Sequence, residues 1–336
     1  MQKQTENKTA DKTAGKMTSK TAGKTTGKTA GKAVSRIPLV RILDRLDGFL
    51  DRNDFNSAER LLKNWAAEAE AGGDMAGALT IMNEQIGLYR KTGRETECMT
   101  AISAALDLVR KTGFEDSISG ATSYINAATG YKAFGMADRA LPLYGKARDI
   151  YEKMLPPKDS RLAGLYNNMA LTLAELREYR EAEALYLEAI EILGSPTGEE
   201  SAAVAANTAV GGESLAAASL AAASPAAAGA ACPETGPGES TARPAGHADA
   251  RNLPDMAITY LNLADLVCAE YGPEEGEARI AEYLDTAERL LDSPAVPRDG
   301  YYAYVCEKCA PVFGYYGFFL TEQSLERRAE EIRRNL

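Results

Sequence analysis

The stretch SRLAGLYNNMALTLAELREYREAEALYLEAIEIL, from Ser160 to Leu193, holds two amphipathic helices in succession. In the first, Leu162, Leu165, Tyr166, Met169, Ala170 and Leu173 step by three and four, which gathers them on one face. In the second, Ala182, Leu185, Tyr186, Ala189, Ile190 and Leu193 do the same. Between them Arg177-Glu178-Tyr179 leaves room only for a tight turn, so the two helices lie antiparallel. A hairpin of this length cannot enclose a core alone, and it needs neighbouring copies stacked on it.

Such copies lie on both sides. A first pair runs through Leu39, Leu43, Leu46 and Phe49, turns at Asn53-Asp54 and returns through Ala58, Leu62 and Trp65. A second pair uses Met82, Ile86 and Tyr89, a turn at Gly93, then Cys98, Ile102 and Ala105. A third uses Tyr124, Ala128 and Tyr131, a turn at Gly135, then Ala140, Tyr144 and Ala147. The small residues Ala58, Cys98, Ala140 and Ala182 are separated by 40, 42 and 42 positions. Each is followed at +4 by a bulky side chain: Leu62, Ile102, Tyr144 or Tyr186. A small residue lets helices approach closely, and the bulky one fills the space beside it. Turn residues Asn53, Gly93 and Gly135 suit a left-handed conformation. Arg177 breaks that pattern and predicts a different turn in the pair from Ser160 to Leu193.

The small, bulky and small residues at 0, +4 and +7 of the second helix resemble the tetratricopeptide repeat family. The 42-residue period resembles the variant found in kinesin light chains. The resemblance covers residues 39–196 clearly and 255–336 less well, and it implies an all-α, right-handed α-solenoid of about six antiparallel helix pairs.

Residues 197–250 interrupt the array with Ala, Ser, Gly and Pro. The motif Tyr-x-Asn-x-Ala occurs at Tyr124-Asn126-Ala128, Tyr166-Asn168-Ala170 and Tyr260-Asn262-Ala264, spaced by 42 and then 94 residues. Removing 52 residues restores the register, so the segment reads as a disordered insertion between consecutive pairs. The expected organisation is a tail at 1–36, pairs one to four at 37–196, the insertion at 197–250, and pairs five and six at 251–336. The last pair is expected from Tyr301 to Phe319 and then through Leu325, Ala329 and Ile332, its charged outer face forming a cap.

The formal charge of −10 is uneven. Residues 1–36 hold nine Lys or Arg against Glu6 and Asp11, a charge of +7, which leaves −17 for the remainder. From Lys8 to Arg36 a cation recurs every fourth position, without apolar anchors, so this tail is expected to be disordered. It is the one part suited to nucleic acid or an anionic lipid surface, though a plain solubilising tail is the favoured reading. No apolar run of about 18 residues predicts a membrane span, and the N-terminus does not read as a secretory signal. Five cysteines without a disulfide framework suit a reducing compartment, and the chain is expected to be cytoplasmic.

The in-phase asparagines Asn126, Asn168 and Asn262 are the leading site candidates. An amide both donates and accepts, so a column of them can pair with the backbone of an extended peptide whatever its side chains. The family resemblance implies that first helices line a concave groove and that asparagines here do this. The competing reading is an asparagine bonding a helix carbonyl to lock the stack. Asn83 falls one position out of register. Lys132 and Arg90 stand as cations at one end of the groove, with solvated surface as their plainer role.

Cys306-Glu307-Lys308-Cys309 has C-x-x-C spacing, but a second cysteine pair is missing and the single histidine, His247, lies in the insertion. Buried packing is the expected role of both thiols. No catalytic constellation, metal-ligand cluster or cofactor motif is found, so the reading is a non-enzymatic adaptor that binds an unknown protein or peptide. Two alternatives remain open: a peptide-sensing regulator, and a nucleic-acid-associated protein acting through residues 1–36.

Overall fold

The computed structural model describes residues 34–195 and 249–335. Among the described residues there are twelve α-helices, one 3-10 turn at Ala250–Asn252, and no strand. They form six antiparallel pairs. The first three are α1 (Leu39–Leu50) with α2 (Phe55–Gly72), α3 (Met75–Lys91) with α4 (Glu95–Thr112), and α5 (Ile118–Ala133) with α6 (Ala137–Met154). The last three are α7 (Ser160–Glu175) with α8 (Tyr179–Leu193), α9 (Leu253–Tyr271) with α10 (Glu277–Asp292), and α11 (Gly300–Tyr315) with α12 (Phe319–Asn335). The expected tail and insertion lie outside the described residues, apart from 34–36 and 249–250.

Helix starts follow from side-chain caps. Asp54, Asp74, Ser117, Asp159 and Asp299 each accept a hydrogen bond from a backbone N–H in the first turn of the helix that follows. Each cap contributes about 1 kcal/mol by satisfying an otherwise orphaned donor.

The turns within pairs correct one expectation. Arg177 adopts φ 63°, in line with Asn53 at 54°, Gly93 at 67°, Gly135 at 73° and Gly317 at 85°. The hydrogen bonds agree as well. Glu178 N–H donates to the Leu173 carbonyl at 2.9 Å, as Arg94 does to Tyr89 and Met136 does to Tyr131. Pairs one to four and six therefore share one turn, in which Arg177 bears the strain that glycine avoids in pairs two, three and six, whereas α9 and α10 are joined by a longer loop through Gly272. A second correction concerns the last pair. Gly317 ends its first helix at Tyr315, and Phe319 opens the second helix.

Packing follows the small and bulky pattern. Ala58, Cys98, Ala140 and Ala182 are fully buried, as are Leu62, Ile102, Tyr144 and Tyr186. Ile280, Leu284 and Ala287 continue the pattern in α10, and Leu325 and Ala329 continue it in α12. Pairs four and five stack directly, with α8 against α9. Asn167 Nδ2 donates to Thr259 Oγ1 at 2.9 Å, Asn252 Nδ2 donates to the Leu193 carbonyl at 3.3 Å, and Arg279 pairs with Glu183 at 2.5 Å.

Candidate functional site

From α3 onward each first helix touches the first helix of the next pair, α3 with α5, α5 with α7, α7 with α9 and α9 with α11. Second helices pack mainly against their own partner and the following first helix. The first helices are thus the layer whose members touch one another, the layer that the family resemblance places on the concave side. That layer is also the polar one. Asn83, Ser123, Asn126, Thr129, Lys132, Asn167, Asn168, Thr172, Thr259 and Asn262 are buried polar residues, all on α3, α5, α7 or α9. Apolar burial elsewhere requires no such groups. Where polar side chains are buried they must find partners or cost free energy.

The three in-phase asparagines differ in how their amides are used. Asn126 Nδ2 donates to the Thr122 carbonyl at 3.0 Å, one turn back in α5. Asn168 is 0% exposed and donates likewise to the Gly164 carbonyl at 3.0 Å, while its Oδ1 is buried without a partner. Asn262 keeps 7% exposure, and its Nδ2 is buried without a hydrogen-bond partner. Asn83 belongs to a different device: its Nδ2 donates to Ser123 Oγ at 3.1 Å, clamping α3 to α5. Counting back 42 residues from Asn126 reaches Glu84, which holds the ladder position in α3. Burial, with Asp47 adding repulsion, pushes the Glu84 carboxyl up to about 7.

The cations are less solvated than the sequence suggests. Lys132 is 3% exposed, and its ammonium lies 3.5 Å from a Glu175 carboxylate oxygen. Burial lowers the Lys132 pKa and nearby Arg90 adds to that, while Glu175 opposes both. Its burial follows from position, because the C-terminal end of α5 is enclosed by stacked neighbours on either side. Arg90 is half-buried, and burial lowers its pKa too. The Tyr144 hydroxyl, bonded to Thr129 at 3.0 Å, lies within electrostatic range of both Arg90 and Glu175. The concave floor thus runs Arg90, Lys132, Glu175 across pairs two, three and four.

Two features escaped the sequence reading. Asn83 with Ser123, and Asn167 with Thr259, are the same clamp two repeats apart. The signal was present: each donor sits one place before the ladder position, and each hydroxyl three places before the ladder asparagine that follows. The second feature is Asp265 on α9. It stands three residues after Asn262, where the other copies have Thr129 and Leu171. Burial pushes its carboxyl up to about 6, although the Tyr316 hydroxyl donates to it at 2.9 Å. Asp255, which accepts from Tyr301, is raised to about 6 for the same first reason.

Profiles of the tetratricopeptide repeat match residues 77–153 and 162–193. Those two stretches are similar to tetratricopeptide repeats, the family that the spacing of small and bulky residues resembles. Among solved structures it is similar to BtubC (BKLC) from P. vanneervenii, with 16% identity and a TM-score of 0.44 over 89% of this chain and 92% of that one. TPR-like repeats assigned to a kinesin light chain of Podosopora anserina match with 14% identity and a TM-score of 0.41, over 76% of this chain and 94% of that one. A search of curated proteins found no match. Tetratricopeptide repeats serve as protein-interaction scaffolds, and that is the kind of function this array carries.

Within this repeat array Cys306 and Cys309 share one buried face of α11 with Tyr302 and Phe313, all within the core. Burial pushes the Cys306 thiol up to about 11 and raises Cys309 as well, which suppresses the reactive thiolate. Among the described residues no three side chains gather as a metal site, and no helix is long and apolar enough to cross a membrane.

Proposed function

We propose that the protein is a non-enzymatic adaptor that grips an extended peptide or protein segment along the concave layer of its repeats. The observation that carries the reading is the segregation of buried polar side chains onto the helices of that layer. An extended segment presents its own backbone donors and acceptors, and side-chain amides can meet them without regard to sequence. Asn126 and Asn262 are the members of the column for that role, Asn168 being sealed in its own helix, with Lys132 and Arg90 setting the charge at one end and Asn83 holding α3 to α5. Residues 197–250 fit as an insertion between pairs four and five, a reading supported by the three polar contacts that join those pairs.

The test is a peptide selected from a random library against the full chain, with affinity measured by calorimetry. Replacing Asn126 and Asn262 together by alanine is expected to weaken it about tenfold, two hydrogen bonds at roughly 0.5–1.5 kcal/mol each. Unchanged affinity, with an unchanged circular dichroism spectrum, overturns the asparagine column.

A further inference from the structure

The concave layer places a carboxylate without a cation beside an amide without a partner. Glu175 is compensated by Lys132, but among the described residues no lysine or arginine pairs with Asp265. Its single hydrogen bond there comes from the neutral Tyr316 hydroxyl. Asn262 lies one turn earlier on the same face of α9 and makes no hydrogen bond among the described residues, unlike Asn126 and Asn168. The fully buried Tyr186 hydroxyl has its pKa raised well above the usual value, first by burial and then by Asp265 and Glu175, so it lies within electrostatic range of both carboxylates. The Tyr315 ring, 53% exposed, stands edge-on to Tyr316 at 4.9 Å.

The stack itself does not call for this arrangement. Thr129 and Leu171 fill the same place in earlier copies, and a half-buried carboxylate with one neutral donor is costly to keep. We propose that Asp265 and Asn262 form a subsite for a cationic side chain, lysine or arginine, on the segment that the array grips. The inference rests on the groove reading above and adds the charge of the partner. The carboxylate supplies a charge-assisted hydrogen bond, and the Asn262 amide turns its oxygen to a second N–H of the cation. The exposed Tyr315 ring offers its face to the same charge. Tyr316 positions the carboxylate. A metal ion fits less well, because no third ligand is gathered there.

Binding of two labelled peptides to the full chain, (Gly-Ser-Arg-Ser)₃ and (Gly-Ser-Glu-Ser)₃, tests this by fluorescence anisotropy at pH 7.5 and fixed ionic strength. The arginine peptide is expected to bind about tenfold tighter, the size of a charge-assisted hydrogen bond. Asp265→Asn keeps an acceptor for Tyr316 and is expected to abolish that preference. Glu326→Gln, which removes the same charge from an exposed position on α12, is expected to preserve it. The groups facing Asp265 are Tyr186 on α8, Cys268 on α9, Tyr315 at the end of α11 and Tyr316 just after it. The three tyrosines are all pushed upward, so Asp265 is the member expected to gain a proton as pH falls to 5, with loss of the preference in wild type and no pH effect in Asp265→Asn, which shows none at either pH. Equal affinity for both peptides, or an equal loss in Glu326→Gln, overturns the subsite. If both peptides bind equally and Asn126→Ala weakens both, the groove reading stands and the cation subsite falls. Absence of arginine-peptide binding also rejects the subsite, and the groove reading is then judged by the selected peptide.

Discussion

Tyr166-x-Asn168-x-Ala170 on α7 and Tyr260-x-Asn262-x-Ala264 on α9 are the same motif in consecutive pairs of the stack, put to different uses. On α7 the asparagine is sealed and tied to its own helix, and the nearby charges Lys132 and Glu175 answer each other. On α9 the asparagine is unbonded, and Asp265 and Asp255 are held by tyrosine hydroxyls alone. A motif repeated in sequence is therefore not a function repeated in space. What stands beside it in the next pair decides whether an amide serves the stack or remains available.

The sharpest way to break that contrast is to delete both amides separately. Asn168→Ala removes a bond in a fully enclosed setting and is expected to cost about 1–3 kcal/mol, whereas Asn262→Ala is expected to stay within roughly 0.5 kcal/mol. Urea unfolding followed by circular dichroism measures both, and equal losses would erase the distinction. A smaller effect is expected at the turn that follows α7. Arg177→Gly relieves the left-handed strain at φ 63°, set against the extra freedom of an unfolded glycine, for a gain of about 0.5–1 kcal/mol in the same assay.

A further expected effect is on pH dependence. Glu84, Asp255 and Asp265 have folded pKa values near 7, 6 and 6, above those of an unfolded chain. The folded state therefore takes up protons first as pH falls, and stability rises from pH 8 to 5. Glu59 behaves oppositely. Hydrogen bonds from Arg94 and Lys63 hold it at about 2, so its contribution is lost as pH drops from about 4 toward 2. Thermal melting is expected to peak near pH 5, and Asp255→Asn with Asp265→Asn to flatten the upper limb.

Much of the fold was legible because it depends on short-range pattern. Helical spacing, capping residues and the 42-residue period each leave a local mark, and a repeat stacks only on a copy of itself. Arg177 was misread because propensity was weighed alone, whereas a connection as short as that of pairs one, two, three and six takes the same left-handed path whatever residue occupies it. Lys132 was misread for a related reason. A lysine near a helix end looks solvated until the neighbouring pairs enclose it.

The candidate site divides along the same line. The sequence by itself determined that asparagines recur in phase on first helices and that a long segment interrupts the array without disturbing its register. Only the tertiary structure decided which amide is sealed, which cation is answered, and that Asp265 stands uncompensated. Periodicity is a property of neighbours along the chain, but hydrogen-bond satisfaction and desolvation depend on residues one repeat away. In this protein two of the three polar contacts across pairs four and five join residues more than 90 positions apart, Asn167 with Thr259 and Glu183 with Arg279.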